Sequence, residues 1–364
     1  MINEIDLSFE AIAVDGNVGY ASDYDMNGLY KVDLETGKCE YIALFPKESV
    51  DERRLHCCAK KVANRVYFIP AAGKFISVYD IADNSIHTLE IPMPAHHKYF
   101  FYKKKYKFIE AVVNSSYLWL IPSTYPGVIK VNLNTSDVQL FDNWLPDEGY
   151  MFRRGLCIEK NEIIIPSGNN NIVLIFDMKK EVARTVKIGL SNNGVMSMCK
   201  CNGLYWMAPR LPGAIISWNY NSNKVDEYLQ YPAGFETGKI VFSKNYAAAD
   251  KVFFPPAGAN KCVVISEGKI EESTEICWKT EKDSMVEFMF ESDNQLFYRE
   301  IFSSDKKIRF FKIDKLHNCI SDYSFRISDL EQYKKDVIEY AINYKEILKE
   351  TNRLGLDDLI NIII

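Results

Sequence analysis

Seven polar, turn-forming residues close apolar runs at nearly even intervals: Asp33, Asp80, Asn132, Asp177, Asn219, Ser266 and Asp314, spaced 47, 52, 45, 42, 47 and 48 residues apart. This period constrains the fold most, because each unit is one small sheet that cannot bury its faces alone and must stack on its neighbours. The runs within a period are short and rich in Val, Ile, Phe, Tyr and Trp, which suit a pleated, packed surface. The second repeat holds four runs, at 55–59, 66–70, 75–80 and 86–91, and the third holds four, at 109–113, 118–122, 128–132 and 138–141. Third runs such as Val173-Leu174-Ile175-Phe176 do not alternate, so both faces of each sheet are expected to be covered.

The punctuation repeats as well. Pro70, Pro122, Pro166, Pro209 and Pro256 each close a second run, since Pro cannot donate to a strand ladder. The third run ends in Asp or Asn in six repeats of seven, and these side chains bond their own backbone to start a turn. Thr36-Gly37, Asp83-Asn84 and Asn221-Ser222-Asn223 complete hairpins. Four antiparallel strands repeated seven times resemble the blades of a β-propeller. The stretch Leu29-Tyr30-Lys31-Val32-Asp33-Leu34-Glu35-Thr36-Gly37-Lys38 is similar to the generic YVTN/PQQ-type blade, whereas the WD and Gly-His pairs of WD40 repeats and the Gly-Gly doublet of kelch repeats are missing. The expectation is an all-β, seven-bladed propeller of four-stranded antiparallel blades over residues 1–327. Six blades are the alternative, because the last repeat lacks the Pro.

Residues 328–364 read differently. Ser328 and Glu331 have the spacing of a capping box. Leu330, Tyr333, Val337, Ala341, Tyr344 and Leu348 then recur at helical steps, with a stop before Gly355. The last six residues, Leu359-Ile360-Asn361-Ile362-Ile363-Ile364, are almost wholly apolar. Helix and tail either pack on the ring or form a surface for a protein partner or a homodimer.

The net charge of −5 argues against a nucleic-acid partner. Nine cysteines, an odd number scattered through apolar runs, do not form a disulfide framework. The N-terminus lacks the pattern of a signal peptide, and no run of about 18 apolar residues suggests a membrane span. A soluble, cytoplasmic protein is expected.

The resemblance to propellers implies that first strands line a central channel and that inter-blade connections share a rim with the second-to-third-strand loops, where sites sit. Aligning the repeats on Tyr20, Tyr67, Trp119, Ile164, Trp206, Phe253 and Phe297 puts Glu10, His56, Glu110, Arg154, Ser197, Ser243 and Glu287 in one row about ten residues upstream. Five of these seven are ionisable within apolar segments, so they must face water, a partner charge or a ligand. His56, Glu110 and Glu287 are the candidate catalytic residues of an enzyme reading, with the carboxylates on a divalent cation in the channel and His56 as base. The alternative is a solvated lining.

Arg53, Arg54, Lys107, Arg153, Arg154 and Lys239 stand just ahead of first strands. On one rim they would attract a phosphate or carboxylate. The connection 92–107 carries His96, His97, Tyr99 and Lys103 among further aromatics and lysines, suited to stacking on a sugar or base and holding an anion. The candidate ligand-binding residues are Arg54, His96, Tyr99, Lys103, Tyr125, Arg153, Arg154 and Arg210. Ser167-Gly168-Asn169-Asn170-Asn171 is a loop without the strand-to-helix context of a phosphate-binding glycine motif. Two functions are compatible with these residues: a binding propeller for a small anionic molecule, glycan or peptide, with no cofactor, or a lyase or hydrolase using the channel residues with a metal.

Overall fold

A computed structural model describes residues 5–50, 52–92, 106–142, 151–189, 193–276, 284–302 and 308–343. The strands form seven four-stranded sheets, each built from four consecutive antiparallel strands in sequence order. Their first strands are Phe9–Asp15, His56–Val62, Phe108–Asn114, Cys157–Glu159, Val195–Cys201, Tyr246–Ala248 and Ser284–Ser292. Each sheet packs on the next through an apolar cluster. Ala11, Tyr20 and Leu29 of the first meet Leu55, Val66 and Phe68 at the second. The seventh returns to the first, where Phe290, Phe297 and Phe310 meet Phe9, Ile12, Tyr30 and Val32. A stack whose last member covers the first is a closed ring, and the molecule is a seven-bladed β-propeller. Coverage on both faces leaves Val173, Leu174, Ile175 and Phe176 all at 0% exposure, which explains their lack of alternation.

The turn signals act as their chemistry dictates. Asp33, Asp80, Asn132, Asp177, Asn219 and Asp314 each accept backbone N–H bonds two or three residues on, at 2.8–3.3 Å. Four residues after each stands a left-handed residue: Gly37, Asn84, Ser136, Glu181, Asn223 or Asn318. Ser266 departs from this, since Glu267 and Gly268, both at positive φ, make a tight two-residue hairpin turn there. Second strands end at Pro70, Pro122, Pro166 and Pro209. The seventh blade has no such Pro, and its second strand runs for eight residues, Gln295–Phe302. The blade is complete without that stop, so the count is seven rather than six.

The ring is fastened by an eighth, two-stranded sheet. Ile5–Leu7 pairs antiparallel with Phe325–Ile327, in the register Ile5 to Ile327 and Leu7 to Phe325. The Arg326 N–H donates to the Gly37 carbonyl of blade 1 at 2.8 Å. Gly37 is required there. Its φ is +73°, and a Cβ would stand 2.1 Å from the Ser324 carbonyl oxygen. Phe325 is buried with its ring 5.0 Å from that of Phe9.

The helix Glu331–Asn343 lies on blade 1. Tyr333 and Val337 pack with Val50, Tyr41 and Leu44, and the Tyr41 hydroxyl donates to Asp336 at 2.8 Å. The first turn is held by Asp329, whose carboxylate accepts the Glu331 N–H at 3.0 Å. This is one residue beyond the Ser328 cap that the sequence suggests. Residues 344–364, including the apolar tail, lie outside the described residues. No helix among the described residues is long and apolar enough to cross a membrane.

Candidate functional site

The first strands descend along the ring axis from one rim, and their pairing with the second strands fixes which residue of each blade reaches the axis. Ala13, Lys60, Val112, Cys157, Cys199, Tyr246 and Phe290 pair with the seven reference residues of the second strands. Three residues earlier stand Glu10, Cys57, Ile109, Arg154, Met196, Ser243 and Glu287. Six of these seven, all but Cys57, line a chamber of about 260 Å³ at the rim end of the channel. Every blade contributes to it. A second cavity, of about 510 Å³, lies further down, bordered by residues such as Glu110, Leu156, Met198, Tyr246 and Glu291.

A guanidinium separates the two. Arg154, from the approach to blade 4, crosses the channel and donates to the Glu10 carboxylate of blade 1. It also donates to the carbonyls of Met289 in blade 7 and Cys57 in blade 2, the latter at 3.0 Å. Arg54 grips the same carboxylate through two parallel bonds, a geometry that the planar fork of Arg provides. Glu10 is 8% exposed at its side chain and Arg154 14%, so the triad is nearly dry. Burial opposes charge on Arg54, but Glu10 outweighs it and holds the guanidinium above its ordinary range. Arg54 adopts φ +57°, a left-handed backbone that costs roughly 1–3 kcal/mol in a residue with a Cβ. Beside the triad, Arg299 donates to Glu287 at 2.9 Å and to the Ser8 hydroxyl at 3.0 Å. The Tyr24 ring lies 3.9 Å from the Arg299 guanidinium carbon, and the Tyr106 ring 4.3 Å from that of Arg54.

The chamber is unbalanced in charge. Its lining holds four guanidiniums, of Arg54, Arg153, Arg154 and Arg299, against two carboxylates, of Glu10 and Glu287. Lys244, which also reaches it, is paired with Glu291 at 2.5 Å. Arg153 has no carboxylate partner among the described residues. Its Nε is buried without a hydrogen bond, and its Nη2 lies 2.9 Å from the Met151 sulfur. Burial, then the charges of Arg210 and Arg54, push its pKa down to about 10. Arg210, on the second-to-third-strand loop of blade 5, also has a buried Nε with no partner among the described residues. Both arginines lie against Gly168. The Arg210 Nη1 is 3.5 Å from its carbonyl, and a Cβ on Gly168 would stand 2.5 Å from the Arg153 Cγ. The rest of the wall combines soft apolar side chains, Ile109, Met196, Ile240, Met285, Val286 and Phe288, with Ser8, Ser123, Ser197 and Ser243. The buried Ser243 hydroxyl has no partner among the described residues.

The sequence row is therefore right at Glu10, Arg154, Ser243 and Glu287, and one residue out at His56, Glu110 and Ser197. The structural row stands ten residues ahead of the landmark in every blade, whereas the sequence row strays to eleven at His56 and to nine at Glu110 and Ser197, where a polar residue neighbours the apolar one that reaches the axis. Adjacent strand positions point to opposite faces, so a slip of one residue changes the face. His56 is thereby the counterpart of Phe9 and Phe108, and it sits between the rings of Phe45, at 4.4 Å, and Phe68. Its Nδ1 is 2.8 Å from the Ser22 hydroxyl. Glu110 lies in the lower cavity, 3.0 Å from Lys60. Burial alone would raise that carboxyl, but Lys60 and Arg154 draw it down to about 2. His56, Glu110 and Glu287 do not converge on one point. Tyr125 is buried against Phe108, away from the chamber. Arg54, Arg153 and Arg154 do converge, while Lys107 is engaged with the carbonyls of Ala72 and Gly73 at 2.9 and 3.0 Å. His96, Tyr99 and Lys103 lie outside the described residues, among which no group of three or more His, Cys, Asp or Glu is placed to hold a metal ion.

Burial pushes the pKa of His56 down to about 3. The unfolded chain takes up a proton near pH 6.5, whereas the folded chain does so only near pH 3. Stability from this residue is therefore complete above pH 6.5 and declines as pH falls to about 3, by about 1.4 kcal/mol per pH unit. His56→Phe, which installs the residue of the equivalent positions, is expected to remove that slope. Urea titrations of both proteins between pH 7 and 4 measure it, and parallel pH profiles would count against the assignment.

No family model matches this sequence, and no curated protein matches it. The fold is similar to that of virginiamycin B lyase from Staphylococcus aureus, with a TM-score of 0.56 at 13% identity over 88% of this chain and 97% of that one. A catalytically inactive form of that lyase with quinupristin gives 0.58 at 14% over 84% and 97%. BamB from Moraxella catarrhalis gives 0.53 at 10% over 82% and 83%. At such identities the likeness is one of fold alone.

Proposed function

We propose that this propeller is a binding module whose rim-side chamber takes a small organic anion. The observation that carries the reading is Arg153, a largely buried guanidinium at the chamber wall with no acid to balance it among the described residues. A buried charge without a partner is costly, and a bound carboxylate or phosphate would supply the missing one. The surrounding blades give rigidity, and Tyr24 and Tyr106 hold the neighbouring arginines in place. The YVTN/PQQ-like turn at 29–38 fits this reading, since that blade type serves many binding roles. A cytoplasmic setting is part of it, supported by Cys57, Cys58, Cys201 and Cys262 serving as buried core thiols.

Calorimetry with benzoate against benzyl alcohol tests the charge requirement. Benzoate is expected to bind and the alcohol not. Arg153→Met should weaken benzoate roughly ten- to a hundredfold, the worth of a charge-assisted bond of about 1.5–3 kcal/mol. Equal behaviour of acid and alcohol, or of parent and variant, would refute the proposal.

A further inference from the structure

Resting on that reading, we infer that the ligand is a phosphate monoester of an apolar group, its dianionic head held between Arg153 and Arg210 and its body lying along the wall of Met196, Ile240, Met285 and Phe288. The division of labour among the arginines leads there. Arg54 and Arg154 are committed to Glu10, and Arg299 to Glu287. Arg153 and Arg210 are not committed to any acid among the described residues, and the charge of Arg210 acts on Arg153 through space. They meet over Gly168, where the missing side chain leaves the room that Arg153 fills. Each retains a buried Nε–H with no acceptor. Two adjacent positive forks with unfilled donors match one group that carries two negative charges and several acceptor oxygens. A single carboxylate would leave one charge and several donors unanswered.

The chamber that Arg153 lines, next to Arg210 across Gly168, offers an apolar body a place to lie. Thioether and hydrocarbon side chains from blades 3, 5, 6 and 7 make up much of the wall that the charged groups leave. Methionine adapts to irregular apolar shapes and lies well against aromatic edges. The volume, about 260 Å³, is at the small end for ligand pockets, which fits a single ring or a short alkyl group. The lower cavity does not compete for the head group, because its Lys60, Lys200, Lys244 and Lys315 are all paired with Glu110, Glu159 or Glu291.

Phenyl phosphate, benzoate and inorganic phosphate, titrated calorimetrically at one ionic strength near pH 7.5, test this. Phenyl phosphate is expected to bind at least tenfold tighter than either of the others. Arg210→Met should cost phenyl phosphate at least tenfold, and Arg210→Lys less. Ile240→Asn should weaken phenyl phosphate while leaving inorganic phosphate unchanged. Thermal midpoints within a few degrees of the parent establish that each variant is folded. Phenyl phosphate no tighter than benzoate would overturn the dianionic head, and no tighter than inorganic phosphate would overturn the apolar body. Parent-like binding by Arg210→Met would remove that residue from the site. In each of these cases benzoate binding lost in Arg153→Met leaves the anion-binding function standing. Absence of binding by all three probes overturns both.

Discussion

Replacing Glu10 by Gln is expected to destabilise the protein by about 3–5 kcal/mol, among the largest effects available to a polar substitution. The carboxylate is the sole acid shared by Arg54 and Arg154 in the axial triad among the described residues. Its removal leaves two guanidiniums side by side in a nearly dry channel, and the cost of keeping those charges out of water is no longer offset. The loss reaches several blades at once, because Arg154 also ties blades 2 and 7 to the centre. Two measurements separate this from a generic defect. Glu10→Gln combined with Arg154→Met should recover part of the loss, as coupled charges do in a double-mutant cycle. Added phosphate or sulfate should raise the midpoint of Glu10→Gln more than that of the parent. A change below about 1 kcal/mol in urea unfolding would show that the triad is not a structural element.

Phe325→Ala is expected to cost a further class of stability, about 3–5 kcal/mol, through the fastening of the ring. Phe325 is 1% exposed and lies against Phe9, Phe290, Phe297 and Tyr323. It therefore joins the first and last blades while belonging to neither. Truncation leaves a void at the one interface that sequence-adjacent blades do not make. Hydrogen exchange should locate the damage, with protection lost first in Ile5–Leu7 and in the first strand of blade 1. A stability loss spread evenly over all blades would contradict this.

Much of this architecture was legible in the sequence because its signals are local. An Asp or Asn at the end of a third strand needs only its own next three residues to make its turn, and it does so in six blades. The row at the axis was harder to read. The distance from landmark to axis is ten residues in every blade, but a tolerance of one residue lets the polar neighbours His56, Glu110 and Ser197 stand in for Cys57, Ile109 and Met196. Glu10 and Glu287 survived that error, while His56 fell into the aromatic position between Phe45 and Phe68. The rim arginines were visible as basic residues before first strands. Their division into committed and uncommitted groups was not, because it depends on Glu10 lying some 144 positions from Arg154 in the chain. Arg299 was missed altogether, although a lone Arg-Glu pair inside the apolar stretch 296–302 was a usable sign.

The two strands of the fastening sheet leave the ribosome far apart in time. Phe325–Ile327 emerges roughly 320 residues after Ile5–Leu7. At about 5–20 residues per second this is a delay of roughly 16–64 s. Throughout it, Phe9, Tyr30 and Val32 present an uncovered greasy flank to the cell, so the newborn chain is expected to need a holding chaperone until Phe325–Ile327 arrives.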